Sequence, residues 1–156
     1  MDTYLQWLDA YTGQTIEELL SLEREYRVDS LVVAIEEAIH QKAERAGLGS
    51  LSVEERIVLA VEALEREVNN GGYSQFFLND SKEHAGVIVN SLIRIACPQT
   101  AEITETALAA SLLVDDEERE EQWSRCDSLY YEGGEDIADQ LFKFIRANKD
   151  SIRLLP

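Results

Sequence analysis

Only two cysteines occur in the 156-residue chain, Cys97 and Cys126. Two thiols so far apart supply neither a disulfide framework nor the paired spacing of a zinc site. Cys97 continues the apolar run IRIAC and reads as a small core residue. Histidine is equally scarce. His40 and His84 stand alone, outside any HExxH spacing and away from a serine or cysteine nucleophile motif. Both read as helix-surface residues, so no metal, cofactor or catalytic residue is expected and the chain is read as a non-enzyme.

Two prolines and eight glycines leave few interruptions, which favours long helices. No apolar run approaches the roughly 18 residues that mark a membrane span. The opening MDTYLQWLDAYTG is acidic and lacks an apolar stretch flanked by basic residues, so it does not read as a signal peptide. A cytoplasmic protein is expected. Period-two alternation, the mark of a half-buried strand, is not sustained anywhere.

The last shortage is of positive charge: 14 basic residues stand against 31 acidic ones, a net of −17. Such a surface repels nucleic-acid phosphates and anionic membranes, which excludes both as direct partners. It attracts basic protein surfaces. The acids concentrate between Asp115 and Asp136, where ten of them meet only Arg119 and Arg125. The closing segment is instead mildly basic, with Lys143, Arg146, Lys149 and Arg153.

What is present is helical periodicity. Apolar residues make up 45% of the chain, enough for a hydrophobic core in one domain spanning 1–156. TIEE and SVEE fit capping boxes, with Thr15 and Ser52 as N-caps and Glu18 and Glu55 three residues on. Ile16, Leu19, Leu20, Leu22 and Tyr26 form one stripe. Leu31, Val32, Ile35, Ala38 and Ile39 form a second, with Glu36 and Glu37 facing outward. Val53, Ile57, Val61, Leu64 and Val68 line the clearest helix, opposite Glu54, Glu55, Glu62, Glu65 and Arg66. Val87, Ile88, Leu92, Ile95 and Ala96 mark another, stopped by Pro98, and QTAEITETALAASLL carries a further pattern. The acidic segment leads into a helix ending near Glu132, where Gly133 and Gly134 offer a left-handed C-cap. Ile137, Leu141, Phe144 and Ile145 close the chain. The expectation is an all-α, single compact domain of seven or eight helices, with residues 1–24 as a helical N-terminal extension.

Two features bear on function. Asn69, Asn70, Gly71 and Gly72 form a stop signal after the third stripe, since asparagine tolerates and glycine readily adopts the left-handed region. No strand precedes the pair and no GK[ST] follows, so it is not a phosphate loop. Tyr73, Phe76 and Phe77 share one helical face and read as core. Asn70, Gln75 and Asn79 either cap neighbouring helices or line a small polar pocket, an alternative that leaves a ligand-binding or enzymatic corner open. The second feature is the acid run Asp115, Asp116, Glu117, Glu118, Glu120 and Glu121. Carboxylates three or four apart on a helix lie roughly 5–6 Å apart at Cβ. Duplex DNA carries one charge per about 1.7 Å of axis. A row of such carboxylates can therefore present a basic groove with a phosphate-like track, bound electrostatically and loosened by salt.

The run VEALEREVNNGGYSQFFLND, Val61 to Asp80, resembles the signature of the bacterial family typified by a neisserial DNA-mimic protein, (V/I)NNGG(F/Y)xQ(F/Y)F.N. The break ACPQTAE and the Asp127, Tyr130, Tyr131 pattern are similar as well, so the resemblance covers about residues 25 to 150. It implies an all-helical acidic module that engages the DNA-binding surface of a protein, because the best-known member imitates duplex DNA and binds a helix-turn-helix transcription factor. The partner it implies is a basic DNA-binding protein, a regulator or a nuclease or toxin, bound by a monomer or homodimer. No catalytic residues come with the family, and Asn69 to Asn79 serve mainly as its fold-defining mark.

Overall fold

The computed structural model describes residues 4–154. Among them the chain is all-α, with eight α-helices: α1 (Ile16–Ser21), α2 (Val28–Ala46), α3 (Val53–Gly71), α4 (Tyr73–Leu78), α5 (Ile88–Arg94), α6 (Pro98–Ala110), α7 (Asp116–Glu132) and α8 (Ile137–Ala147). Short 3₁₀ turns follow α1, α2, α4 and α8. The expected helical extension over 1–24 is limited to α1 and its 3₁₀ turn. Residues 4–15 are non-helical, and an isolated parallel bridge pairs Gln6 with Tyr26. Positions 1–3 lie outside the described residues. Contacts divide the chain into two compact units, one made of the residues up to Leu59 together with those from Ala138, the other of Ala60–Ile137.

In the first unit both capping boxes form as their sequences dictate. Thr15 Oγ1 accepts from the Glu18 amide at 3.1 Å, and Glu18 Oε1 accepts from Thr15 N–H at 3.0 Å. Ser52 and Glu55 repeat the exchange at 3.0 and 2.8 Å. Glu55 does more than cap. Fully buried, it takes both its oxygens to Lys42 Nζ at 2.9 Å and accepts the Arg153 amide at 3.0 Å. One carboxylate thus joins α2, the start of α3 and the C-terminal segment, which Ser52 also holds through the Ser151 carbonyl at 2.7 Å.

Four side chains of α2 and α3 depart from the expected stripes. Glu36, expected outward, is only 4% exposed, its carboxylate 3.4 Å from His40 Nε2. Glu55 is buried in its bridge to Lys42 and Arg153, and Glu62 is buried because every residue from Ile57 to Leu64 is buried and no polar face remains there. Val53, expected in the core, is 62% exposed at the first helical position.

The second unit is organised around an aromatic cluster. Phe77 stacks on Trp123 with ring centroids 5.8 Å apart, and Tyr73 meets Tyr130 edge-on at 5.9 Å. Trp123 Nε1 donates to the Ala107 carbonyl at 2.9 Å, satisfying the indole where α7 folds back along α6. Helix α5 ends before Pro98 by its own geometry. Ala96 takes a left-handed φ of 66°, while the Ala96 and Cys97 amides bond back to Ile93 and Leu92, a Schellman arrangement without its usual glycine. Pro98 then serves as the first residue of α6, where its missing N–H costs nothing. Glu135 caps that helix from a distance, accepting from the Gln99 and Thr100 amides at 3.1 and 2.7 Å.

Two stability effects follow. Removing one member of a buried ion pair typically costs about 3–5 kcal/mol, so Glu55→Ala lowers unfolding free energy by that order in denaturant titration; an effect below 1 kcal/mol, on the scale of exposed pairs, contradicts the bridging role. Glu65 in α3 is pushed up to about 7, chiefly by burial and then by Asp136. A raised folded-state carboxylate pKa means the folded chain holds a proton that the unfolded chain releases. Its contribution is therefore full below the ordinary carboxylate range and falls as pH rises towards about 7. Thermal melts between pH 5 and 7.5 should show a flatter decline for Glu65→Gln than for the natural chain.

Candidate partner-binding surface

The NNGG corner is built by one close approach. Helix α3 does not stop at the asparagines but continues through Asn69, Asn70 and Gly71. The turn falls wholly on Gly72, at φ 87° and ψ −177°, a region open essentially to glycine alone. There the Asp127 carboxylate of α7 comes so near that a Cβ on Gly72 would sit 2.3 Å from Oδ2. Asp127 Oδ1 accepts the Tyr73 amide at 2.7 Å, capping α4 from across the fold. Burial lifts the Asp127 pKa, the Tyr73 amide opposes that shift, and Glu120 adds to it.

Most of the rest of the motif makes structural contacts. Tyr73 is fully buried, its hydroxyl 2.7 Å from Thr104 Oγ1. Phe76 is fully buried and Phe77 nearly so. Tyr131 donates its hydroxyl to the Val68 carbonyl, which ties the end of α7 to the end of α3. The amides bond locally: Asn69 Nδ2 to the Glu65 carbonyl at 2.7 Å, and Asn79 Nδ2 to Gln75 Oε1 at 2.9 Å and Glu67 Oε2 at 3.3 Å. Asn69, Asn70 and Asn79 lie at the surface, and Gln75 is half-buried. The geometry of a corner, not of a concave site, dominates here.

Helix α7 carries the acid run. Asp115 is its N-cap, its Oδ1 accepting from the Glu117 and Glu118 amides at 2.9 and 3.2 Å. Asp116, Glu117 and Glu118 occupy the first turn, where the positive end of the helix dipole favours carboxylates. Two arginines offset more of the repulsion: Arg119 reaches Asp116 at 2.6 Å, and Arg125 reaches Glu121 at 2.8 Å. Arg119 also lies over the Trp123 ring, anchoring the acidic turn to the core. All six acids are exposed. Glu117, Glu118 and Glu120 have no cation partner among the described residues.

The glycine pair after α7 behaves differently from expectation. Gly133 is extended at φ −61° and ψ 142°, so the helix ends without a left-handed cap. The signal missed by sequence reading was Asp127 as the acceptor at Gly72; its place four residues before Tyr131 gave no hint of a partner 54 residues upstream.

Corner and acidic helix together define, among the described residues, an all-helical acidic protein that displays surface charge on a helix fixed to the glycine turn at Gly72. A family model described as DMP19-like protein matches residues 49–148, well over half of the chain, and the chain belongs to that family. This is the DNA-mimic family that the NNGG signature resembles. Comparison with curated proteins and with solved structures gives no match. No helix among the described residues is long and apolar enough to cross a membrane.

The corner is open to a direct check. Gly72→Ala meets both a glycine-only backbone region and the Asp127 carboxylate, a combined cost of about 2 kcal/mol or more. Gly86→Ala, where a Cβ meets nothing within 4 Å, should change stability by no more than about 0.5 kcal/mol. Equal effects in chemical denaturation contradict the close-approach account.

Proposed function

We propose that this chain is an acidic protein-binding module, a DNA mimic that occupies the basic DNA-binding surface of a transcription regulator or nuclease, in or out of a homodimer. The observation that carries the reading is the display at the amino end of α7: six exposed carboxylates from the N-cap Asp115 to Glu121, over about two turns, held on a capped helix in a chain of the DNA-mimic family. Carboxylates at Asp116 and Glu120, and at Glu117 and Glu121, repeat every four residues, a Cβ spacing of roughly 5–6 Å. Exposed ion pairs such as Asp116–Arg119 contribute little, so a partner's arginine can displace the intrachain one at small cost.

A rigid charge track supports electrostatic steering onto a basic groove and release by salt. The second reading, a small-ligand or enzymatic pocket at the corner, has less support, because Tyr73 and Phe76 are sealed and Asn79 bonds to Gln75.

The test is capture and competition. Immobilised chain should retain a basic DNA-binding protein that duplex DNA of its own site competes off. Glu117→Gln/Glu118→Gln/Glu120→Gln, which spares the cap and both arginine pairs, should weaken retention about ten-fold or more with unchanged helicity. Retention that ignores both added duplex and this triple change would defeat the proposal.

A further inference from the structure

The α6–α7 pair carries a second feature that charge alone does not describe. Gln99, Glu102 and Ile103 on α6 face Leu129 and Glu132 on α7 across an open groove of about 520 Å³, whose lining also includes Gly133 and Gly134. The three α6 residues, with Thr106, recur at the three- and four-residue steps that place side chains on one helical face. Leu129 is 51% exposed, an apolar side chain left at the surface of a helix that buries Trp123 and Cys126. Glu102 and Glu132 are exposed carboxylates without a cation partner among the described residues. On the first two turns of α7, by contrast, Asp116 and Glu121 already hold arginines.

We infer that this groove is a docking cleft for an arginine side chain of the basic partner, with its aliphatic stem on Ile103 and Leu129 and its guanidinium at the carboxylates of Glu102 and Glu132. The inference rests on the reading of the chain as a binder of basic protein surfaces and names a determinant within it. Arginine fits the lining better than lysine does. Its stem covers apolar surface while its planar head stays at the polar rim, and the head engages carboxylates in two parallel hydrogen bonds where an ammonium acts as a point charge. The volume exceeds one side chain, so the adjoining partner backbone enters as well. A second copy of this chain is a poor occupant, since at net −17 each copy repels the other. The cleft would give the acidic helix what a phosphate-like row lacks, a contact that selects among basic proteins.

The probe is a terminally blocked twelve-residue peptide of alanine and arginine with arginines four apart, alongside versions with lysine or uncharged citrulline. Backbone amide shifts of the labelled chain should move at Ile103, Leu129 and Gly133 with the arginine peptide, less with lysine and not with citrulline. Leu129→Ser, which keeps net charge and replaces an exposed side chain, should weaken binding about five-fold or more. Glu102→Gln/Glu132→Gln should do the same and flatten the salt dependence. Shifts confined to Glu117–Glu121, or affinity unaltered by Leu129→Ser, overturn the cleft. So do groove shifts that follow protein concentration without peptide, which would assign the groove to self-association. Loss of the cleft with DNA-competed capture intact leaves the mimic reading standing, whereas absence of that capture removes the reading itself.

Discussion

The contact between the Asp127 carboxylate and the Gly72–Tyr73 backbone is the constraint from which the rest of the Ala60–Ile137 unit follows. The α3-to-α4 turn needs a glycine-only conformation, and the α4 amino terminus needs an acceptor for its leading amide. Gly72 meets the first need, and Asp127 from α7 meets the second at 2.7 Å, approaching so closely that only glycine leaves it room. Because Asp127 sits in the middle of α7, the contact also sets where that helix lies. Trp123 then stacks on Phe77, Tyr130 reaches Tyr73 and Tyr131 reaches Val68. The buried face of α7 is thereby fixed to the corner, and its remaining face, with the acid run at its amino end, is left to solvent.

This arrangement explains how the chain tolerates its charge. Ten acids between Asp115 and Asp136 repel one another, yet several have specific structural employment. Asp115 caps α7, Asp127 caps α4 and Glu135 caps α6. Asp116 and Glu121 are neutralised by neighbours three and four residues away. The carboxylates without such roles, Glu117, Glu118 and Glu120 on the first two turns of α7 and Glu132 at its end, are the ones free to meet a partner. Capping and ion pairing therefore fall to some members of the acidic segment, while others remain exposed without a cation partner.

Much of the fold was legible because its signals are local. The two S/T-x-x-E boxes, the Leu31–Ile39 stripe and the closing Ile137–Ile145 stripe each depend on residues within two turns of one another. What escaped depends on long-range meeting. Nothing near Glu55 announces Lys42 and Arg153, so a residue read as a surface cap is a buried bridge. Glu36 and Glu62 follow polar spacing but lie where their helices are buried on the polar side too. The need for glycine at NNGG was readable, whereas the choice of Gly72 over Gly71, and the reason for it, required Asp127. The apparent cap at Gly133 failed because an extended residue ends α7 equally well. The acid run was visible as composition, but the groove between α6 and the carboxyl end of α7 was not, since its lining comes from two helices aligned only in the folded chain.

The central claim is that the exposed face of α7 meets the DNA-contacting surface of a basic protein. Amide hydrogen exchange on the complex with a captured partner measures this most directly, because it maps both sides of the interface at once. The account predicts added protection across residues 116–121 of α7 and, on the partner, across the same segments that duplex DNA protects. Protection confined to the Met1–Leu59 and Ala138–Pro156 unit, or to partner segments that DNA leaves unprotected, would contradict it.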